Sequence, residues 1–350
     1  MTDAQLRVVV ATPLPPELCE LVRRREPRLD LVVEQDLLPP ERWPADFSGD
    51  PEWRRTPAQQ ERFDALVDAA DVLYGIPDVS PSALARTVRA NPRLRWVHVM
   101  AAGGGGQVKA AGLTAAELER VRFTTSAGVH AGPLAEFAVF GLLAGAKHLP
   151  RLQAQQRDRS WTGRWPMGQV SEQTVLVLGM GSIGREAARK AIALGARVLG
   201  VARSEVDLPG LAGLVRPEDV ARVIGEVDAI VVTLPGTEAT EKMLSADLLS
   251  KVKPSVVIVS VGRGTVIDEE ALTAALEDGR VGFAALDVFA VEPLPPESRL
   301  WSLPNVLISP HTAANSEHEE RLIAELFADN ARRFLDGEAL KNTVNTVEFY

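Results

Sequence analysis

A chain of 350 residues is too long for one ordinary core and is expected to form two domains. Its 46% apolar and 24% charged residues exclude a disordered or fibrous chain, and its net charge of -9, from 47 acidic and 38 basic side chains, disfavours nucleic acid or anionic lipid as a partner. Cys19 is the only cysteine, so no intrachain disulfide can form; it reads as a small filler of an amphipathic helix.

From Met1 the chain enters a strand-like run, Leu6-Arg7-Val8-Val9-Val10, without the pattern of a signal peptide, so a cytoplasmic location is expected. Strands are predicted at Val8 to Ala11, Leu29 to Val33, Val72 to Tyr74, Trp96 to Met100 and Arg122 to Thr124, with a helix near Pro16 to Arg25. This βαβ series implies a parallel sheet. Leu38 to Gln60 interrupts it with Pro39, Pro40, Pro44, Pro51 and Pro57 and is expected to be a long surface excursion. From Gly132 to Gln156, apolar residues at helical spacing predict one long, largely buried helix. Its most apolar part, Phe137 to Ala146, spans about half a bilayer before Lys147, so no membrane crossing is expected.

A second alternating series starts at Thr174. Strands are predicted at Val175 to Leu178, Val198 to Val201, Ala229 to Val232, Val256 to Val259, Phe283 to Asp287 and Val306 to Ile308. Six strands separated by helical stretches match a doubly wound nucleotide-binding domain. Ser316 to Leu335 reads as a last amphipathic helix that returns to the first domain.

The first strand of this series runs into Gly179-Met180-Gly181-Ser182-Ile183-Gly184 and then a helix from Arg185 to Leu194. Gly179 permits the turn, Gly181 admits a pyrophosphate to the backbone, and Gly184 lets the helix pack closely, with its N-terminus facing the phosphates. The next strand ends at Ala202-Arg203-Ser204, where an acid usually holds the adenosine ribose. Arg203 and Ser204 suit a 2′-phosphate, which favours NADP(H) while leaving NAD(H) open; the alternative is a solvated Arg203 with Glu205 or Asp207 on the ribose.

Arg263 in Gly262-Arg263-Gly264, Asp287 and Glu292 in Asp287-Val288-Phe289-Ala290-Val291-Glu292-Pro293, and His311 in Pro310-His311-Thr312-Ala313 each lie at or just past the C-terminal end of a predicted strand. In an open parallel sheet those strand ends border the ligand crevice, so the four can converge. Reduction of a 2-keto acid needs a cation for the carboxylate, which arginine's planar fork supplies, and an acid for the emerging alkoxide, which histidine supplies. Glu292 would orient His311 and keep it protonated for reduction. Each of these residues alone reads more readily as surface charge or a satisfied structural histidine; the ordered set carries the assignment. His98, His130, His148 and His318 lack such a setting and read as structural.

Together these motifs resemble the D-isomer-specific 2-hydroxyacid dehydrogenase family over nearly the whole chain, most clearly from Ala135 to Ala314. The resemblance implies two α/β domains of Rossmann-like or flavodoxin-like type with parallel sheets. A split substrate domain, 1–130 with 316–350, would flank a nicotinamide dinucleotide-binding domain, 131–315. It implies that Arg263 binds substrate, that Glu292 and His311 form the acid/base pair, and that Asp287 holds the nicotinamide carboxamide. Pro235 and Thr240 would lie beside the nicotinamide ribose, and Val261 joins the cofactor-binding set. Ala102 and Gly103, in Met100-Ala101-Ala102-Gly103-Gly104-Gly105-Gly106, would offer N–H groups to the substrate carboxylate, with the Gly75 turn as the opposite wall. A homodimer joined partly through the Gly132 to Gln156 helix is implied as well.

The sequence departs from the family pattern in its four consecutive glycines and in Ser126 and Ser260, where asparagines are common. Glu292 argues against formate dehydrogenases, and an end at Tyr350 against the regulatory domain of long phosphoglycerate dehydrogenases. The Arg203 feature points to glyoxylate or hydroxypyruvate reductases. The alternative from another class is a dinucleotide-sensing binding protein like the corepressors that share this fold.

Overall fold

Short β-branched runs separated by helices make strands covered on both faces, and in the computed structural model they assemble two separate parallel sheets. The structure describes residues 5–347 and Phe349 and divides them into two units, one ending at His130 and resuming at Asn315, the other Ala131–Ala314. The first contains β1 (Leu6–Val10), α1 (Pro16–Arg25), β2 (Leu29–Val32), α2 (Pro57–Val67), β3 (Val72–Tyr74) and α3 (Pro81–Ala90). After these come β4 (Trp96–Val99), α4 (Gly105–Ala110), α5 (Ala115–Arg120) and β5 (Arg122–Thr125). The strands pair in the order β2-β1-β3-β4-β5, the flavodoxin-like arrangement.

The stretch Leu38 to Gln60 is not simply a surface excursion. Leu38 and Asp46 are buried, and Thr56 with Gln59 forms a capping box that starts α2 at Pro57. The four-glycine run is also ordered differently from a flexible turn, because Gly105 and Gly106 already belong to α4. A Cβ on Gly104 would lie 2.4 Å from Val99 Cγ1, so the helix start presses onto its own strand.

The second unit contains α6 (Ala131–Ala146), α7 (Leu149–Arg157), β6 (Thr174–Leu178), α8 (Ser182–Ala193), β7 (Arg197–Val201), β8 (Gly213–Val215) and α9 (Val220–Val223). It continues with β9 (Ala229–Val232), α10 (Ala246–Ser250), β10 (Val256–Ser260), α11 (Glu269–Glu277), β11 (Val281–Leu286) and β12 (Val306–Ile308). The sheet order β12-β11-β10-β9-β6-β7-β8 is doubly wound and reverses between β6 and β9. Alternate residues supply opposite layers: Leu176, Leu178, Ile230 and Ile258 pack in one, Val175, Val177, Val231 and Val259 in the other. Seven strands replace the expected six, because β8 is a three-residue, half-buried edge strand containing Gly213.

The expected helix from Gly132 to Gln156 is two helices. Pro150 has no N–H for the Ala146 carbonyl, so α6 ends there and α7 restarts after His148, which takes a left-handed conformation (φ 52°). The small residues of α6 let it lie flat on the sheet, since a Cβ on Gly141 or Gly145 would come within 2.6 Å or 2.5 Å of Val259 or Val257.

α12 (Glu319–Leu335) returns to the first unit and starts later than the expected Ser316. Phe327, fully buried, stacks on Trp96 with ring centroids 5.0 Å apart and meets Tyr74 edge-on at 5.0 Å. His98 is buried between Thr124 Oγ1 (2.8 Å) and Ser126 Oγ (3.2 Å), and burial pushes its imidazole down to about 3, so it is neutral. Cys19 is buried in α1, and burial pushes its thiol up to about 11, which leaves it an inert filler.

The first turn of α12 carries two buried carboxyls. Glu319 Oε1 pairs with His130 Nε2 at 2.7 Å, and Glu320 Oε1 accepts the Ala45 N–H at 2.6 Å. Glu41 faces Glu320, and burial first, then that neighbour, push it from 4.5 up to about 8. The folded chain thus holds a proton that the unfolded chain releases, so this contribution to stability falls as pH rises from about 4.5 to about 8 and stays lost above it. Thermal unfolding between pH 5 and pH 9 should show Glu41→Gln gaining on the wild type as pH rises. An equal pH dependence in the two proteins would contradict the pairing.

Candidate active site

All seven strands of the second sheet run the same way, so the loops after their C-terminal ends share one edge. At its centre, after β6, Gly179 adopts φ 100° and Gly181 is the cap before α8. α8 begins at Ser182, not Arg185, and no side chain caps it, which leaves the first N–H groups, including those of Ser182 and Ile183, for an anion. A Cβ on Gly184 would sit 1.8 Å from the Gly179 carbonyl oxygen, whereas one on Gly181 would meet nothing within 4 Å. The turn is closed where helix meets strand and open where a pyrophosphate would approach, so it fits a dinucleotide. Thr233 Oγ1 donates to the Leu178 and Gly179 carbonyls at 3.1 Å and 2.8 Å and ties the turn to the end of β9.

The loop after β9 is folded by Thr240, whose Oγ1 donates to the Pro235 carbonyl at 2.5 Å and accepts the Thr237 N–H at 2.9 Å. Beside it, after β10, Val261 is buried and its N–H donates to Val232 O at 3.0 Å. The glycines around Arg263 fuse neighbouring loops. A Cβ on Gly262 would lie 2.5 Å from the Leu234 carbonyl oxygen, and one on Gly264 only 1.9 Å from the Phe289 carbonyl. Arg263 is exposed between these contacts, and its Nη1 donates to the Gly262 carbonyl at 2.8 Å.

Asp287, 1% exposed at the end of β11, has a part the sequence did not reveal. Its Oδ1 accepts Ser309 Oγ–H at 2.6 Å and the N–H groups of Thr312 and Ala313, each at 3.0 Å. It therefore grips both sides of His311, which is held at φ 53°, a costly conformation for a non-glycine residue. Among the described residues, Asp287 Oδ2 and Ser260 Oγ are buried without a partner, and the first leaves an acceptor for an amide such as the nicotinamide carboxamide.

His311 Nδ1 lies 2.7 Å from Glu292 Oε2, and Glu292 Oε1 accepts the Phe289 N–H at 2.9 Å. The carboxylate is thus fixed by backbone and orients the ring, whose Nε2 enters no hydrogen bond among the described residues. Both side chains are partly exposed and can reach a ligand. Glu269 adds support by accepting the Ala290 N–H at 2.9 Å.

Arg203 and Ser204, exposed after β7, lie on the other side of the glycine turn. Gly75, Ala102 and Gly103 belong to the first unit, on neighbouring strand ends. Gly75 N–H donates to His98 O at 2.9 Å, and Gly75 adopts φ 94°, where a Cβ would strike Thr12 at 2.4 Å. Thr233, Glu269 and Ser309 escaped the sequence reading. Only Ser309, two residues before His311, had a positional hint.

Residues 139–313 match the family described as D-isomer specific 2-hydroxyacid dehydrogenase, NAD binding domain. The chain belongs to this family. It is an NAD(P)-dependent dehydrogenase with the two-domain fold of the group. A glyoxylate reductase from Korarchaeum cryptofilum is 32% identical over 278 residues, 75% of this chain and 79% of that protein. A family member from Xanthobacter autotrophicus Py2, solved with NADPH and MES, is 27% identical and covers 99% of this chain and 100% of its own, with a TM-score of 0.78. An NADPH-dependent glyoxylate/hydroxypyruvate reductase from Sinorhizobium meliloti, solved with NADP and sulfate, is 25% identical at TM-score 0.76, covering 99% of this chain and 100% of its own.

Ser309→Ala should cost ~1–3 kcal/mol in urea unfolding, because it removes a hydrogen bond to the buried Asp287 carboxyl. A loss below about 0.5 kcal/mol, the range of neutral surface changes, would deny Asp287 its anchoring part.

Proposed function

We propose that this dehydrogenase reduces a small 2-keto acid of glyoxylate or hydroxypyruvate size to the D-2-hydroxy acid and prefers NADPH to NADH. The unit Ala131–Ala314 would bind the dinucleotide and the other unit the substrate. Gly179, Gly181, Ser182, Ile183 and Gly184 would hold the pyrophosphate, Pro235, Thr240 and Val261 the nicotinamide side, and Asp287 Oδ2 the carboxamide. With NADPH held there, the nicotinamide would supply the hydride for the keto carbon.

Arg263 receives the substrate carboxylate with its planar fork and polarises the keto oxygen. His311 donates the Nε2 proton to the developing alkoxide, and Glu292 stabilises the ring's charge before the transfer. In the other unit, Ala102 and Gly103 would offer backbone N–H groups to a carboxylate, and the Gly75 turn, whose own N–H is taken by the His98 carbonyl, would serve as a wall. The observation that carries this reading is the 2.7 Å His311–Glu292 contact at a strand end on the same sheet edge as Arg263 and the glycine turn. The named activities of the similar reductases support the substrate class.

The cofactor preference rests on Arg203 and Ser204 where an acid would repel a 2′-phosphate; a charge-assisted hydrogen bond of ~1.5–3 kcal/mol corresponds to a preference of about ten- to a hundredfold. Half-exposed Phe140 on α6 and fully exposed Trp161 support a homodimer. No helix among the described residues is long and apolar enough to cross a membrane.

With NADPH and a panel of 2-keto acids, His311→Ala should abolish turnover while NADPH still binds, and Arg263→Lys should raise KM and lower kcat. Reduction needs a protonated ring and oxidation a neutral one, so reduction should weaken and oxidation strengthen as pH rises. A reduction rate that climbs steadily through neutrality would overturn the assignment. Dinucleotide binding by the wild type without turnover of any keto acid would point to a sensor instead, and equal efficiency with NADH would remove the NADPH preference.

A further inference from the structure

Building on the NADPH reading above, we propose that Arg216 is a second cation of the 2′-phosphate site, and that the phosphate takes the place of Glu205 on its guanidinium. Arg216 lies in no sequence motif and is brought to the site by β8. That strand pairs with β7 at Val201 and Val215, and the Ala202 N–H donates to Val215 O at 3.2 Å. Arg216, the first residue past β8, therefore stands opposite Ala202 and one residue from Arg203, on the sheet edge that carries the glycine turn.

The Arg216 backbone is fixed, since it caps the turn Pro217–Asp219 and its carbonyl accepts the Asp219 N–H at 2.9 Å. One arm of its guanidinium, Nη1, donates to the Arg203 carbonyl and so braces the loop that presents Arg203 and Ser204. The other arm, Nη2, stands 3.8 Å from Glu205 Oε1. Glu205 is 93% exposed, and a pair that open to water holds weakly, so a dianionic phosphate able to accept from both the Arg216 and Arg203 guanidiniums displaces it. Among the described residues no hydrogen bond or ion pair engages the Arg203 guanidinium, which remains available.

Arg185 fixes this site relative to the glycine turn. Its Nε donates to the Met180 carbonyl at 3.0 Å and its Nη1 to the Asp207 carbonyl at 3.3 Å. One side chain from α8 thereby joins the pyrophosphate turn to the loop after β7. The separation of the two anion sites is set by protein contacts and not by the cofactor.

The test is calorimetric titration of the full chain with 2′,5′-ADP and with 5′-AMP, which differ in the 2′-phosphate. Arg216→Gln should weaken 2′,5′-ADP about tenfold or more and leave 5′-AMP within about twofold, with Arg216→Lys between the two. Glu205→Gln should tighten 2′,5′-ADP and spare 5′-AMP, a gain that misfolding cannot imitate. If neither Arg216→Gln nor Glu205→Gln moves the ratio while Arg203→Ala does, Arg216 has no such part and the NADPH preference stands. If the wild type binds the two ligands equally, the NADPH preference falls and the Arg216 assignment falls with it.

Discussion

Parallel pairing of every strand in the second sheet is the constraint on which the site depends. Because no strand turns back, seven C-terminal ends open onto one edge, and residues far apart in sequence arrive there in strand order. Arg216 and Arg203 follow β8 and β7, the glycine turn follows β6, Pro235 and Thr240 follow β9, Arg263 follows β10, and Asp287 and Glu292 follow β11, before His311 after β12. That row is extended, with two arginines at one end and the His311–Glu292 pair at the other, the layout on which the proposed binding of NADPH rests.

Strand direction alone would leave these loops loose. What makes them one body is the removal of side chains where backbones cross. Gly262 admits the Leu234 backbone and Gly264 the Phe289 backbone, so Arg263 sits on a loop pressed from both sides. Asp287 does by charge what the glycines do by absence. One carboxylate oxygen collects three donors from the His311 loop and holds a left-handed histidine that the loop alone would not maintain.

The sequence made the regular elements legible where periodicity is strong. Val72–Tyr74, Ala229–Val232 and Val306–Ile308 coincide with the expected strands, and Pro16–Arg25 with the expected helix. The placement of Arg263, Glu292 and His311 on one sheet edge was legible because each follows such a strand. What escaped was whatever depends on tertiary contact. β8 is too short and too half-buried to show a period; the end of α6 follows from Pro150 inside an otherwise unbroken apolar pattern; Asp287 reads as a ligand-binding acid, while its grip on residues 309–313 exists only once β11 and β12 are paired. Arg216 was hidden for the same reason, since only the β7–β8 pairing puts it beside Arg203.

The two carboxylates nearest the proposed chemistry show how position divides labour between like groups. Asp287 is buried and spends one oxygen on the protein, which leaves the other as a fixed acceptor in an enclosed place. Glu292 is partly exposed and divides its oxygens differently, one to the Phe289 N–H and one to the imidazole, so its own orientation is set by backbone before it sets the ring's. A carboxylate free to rotate would hold His311 in many orientations, and a shorter side chain at 292 would not span both contacts. The rigidity that the proposed proton transfer needs thus comes from a main-chain hydrogen bond one step removed from the ring, so the loop between Phe289 and Glu292 bears on the proposed acid/base pair as directly as the pair itself.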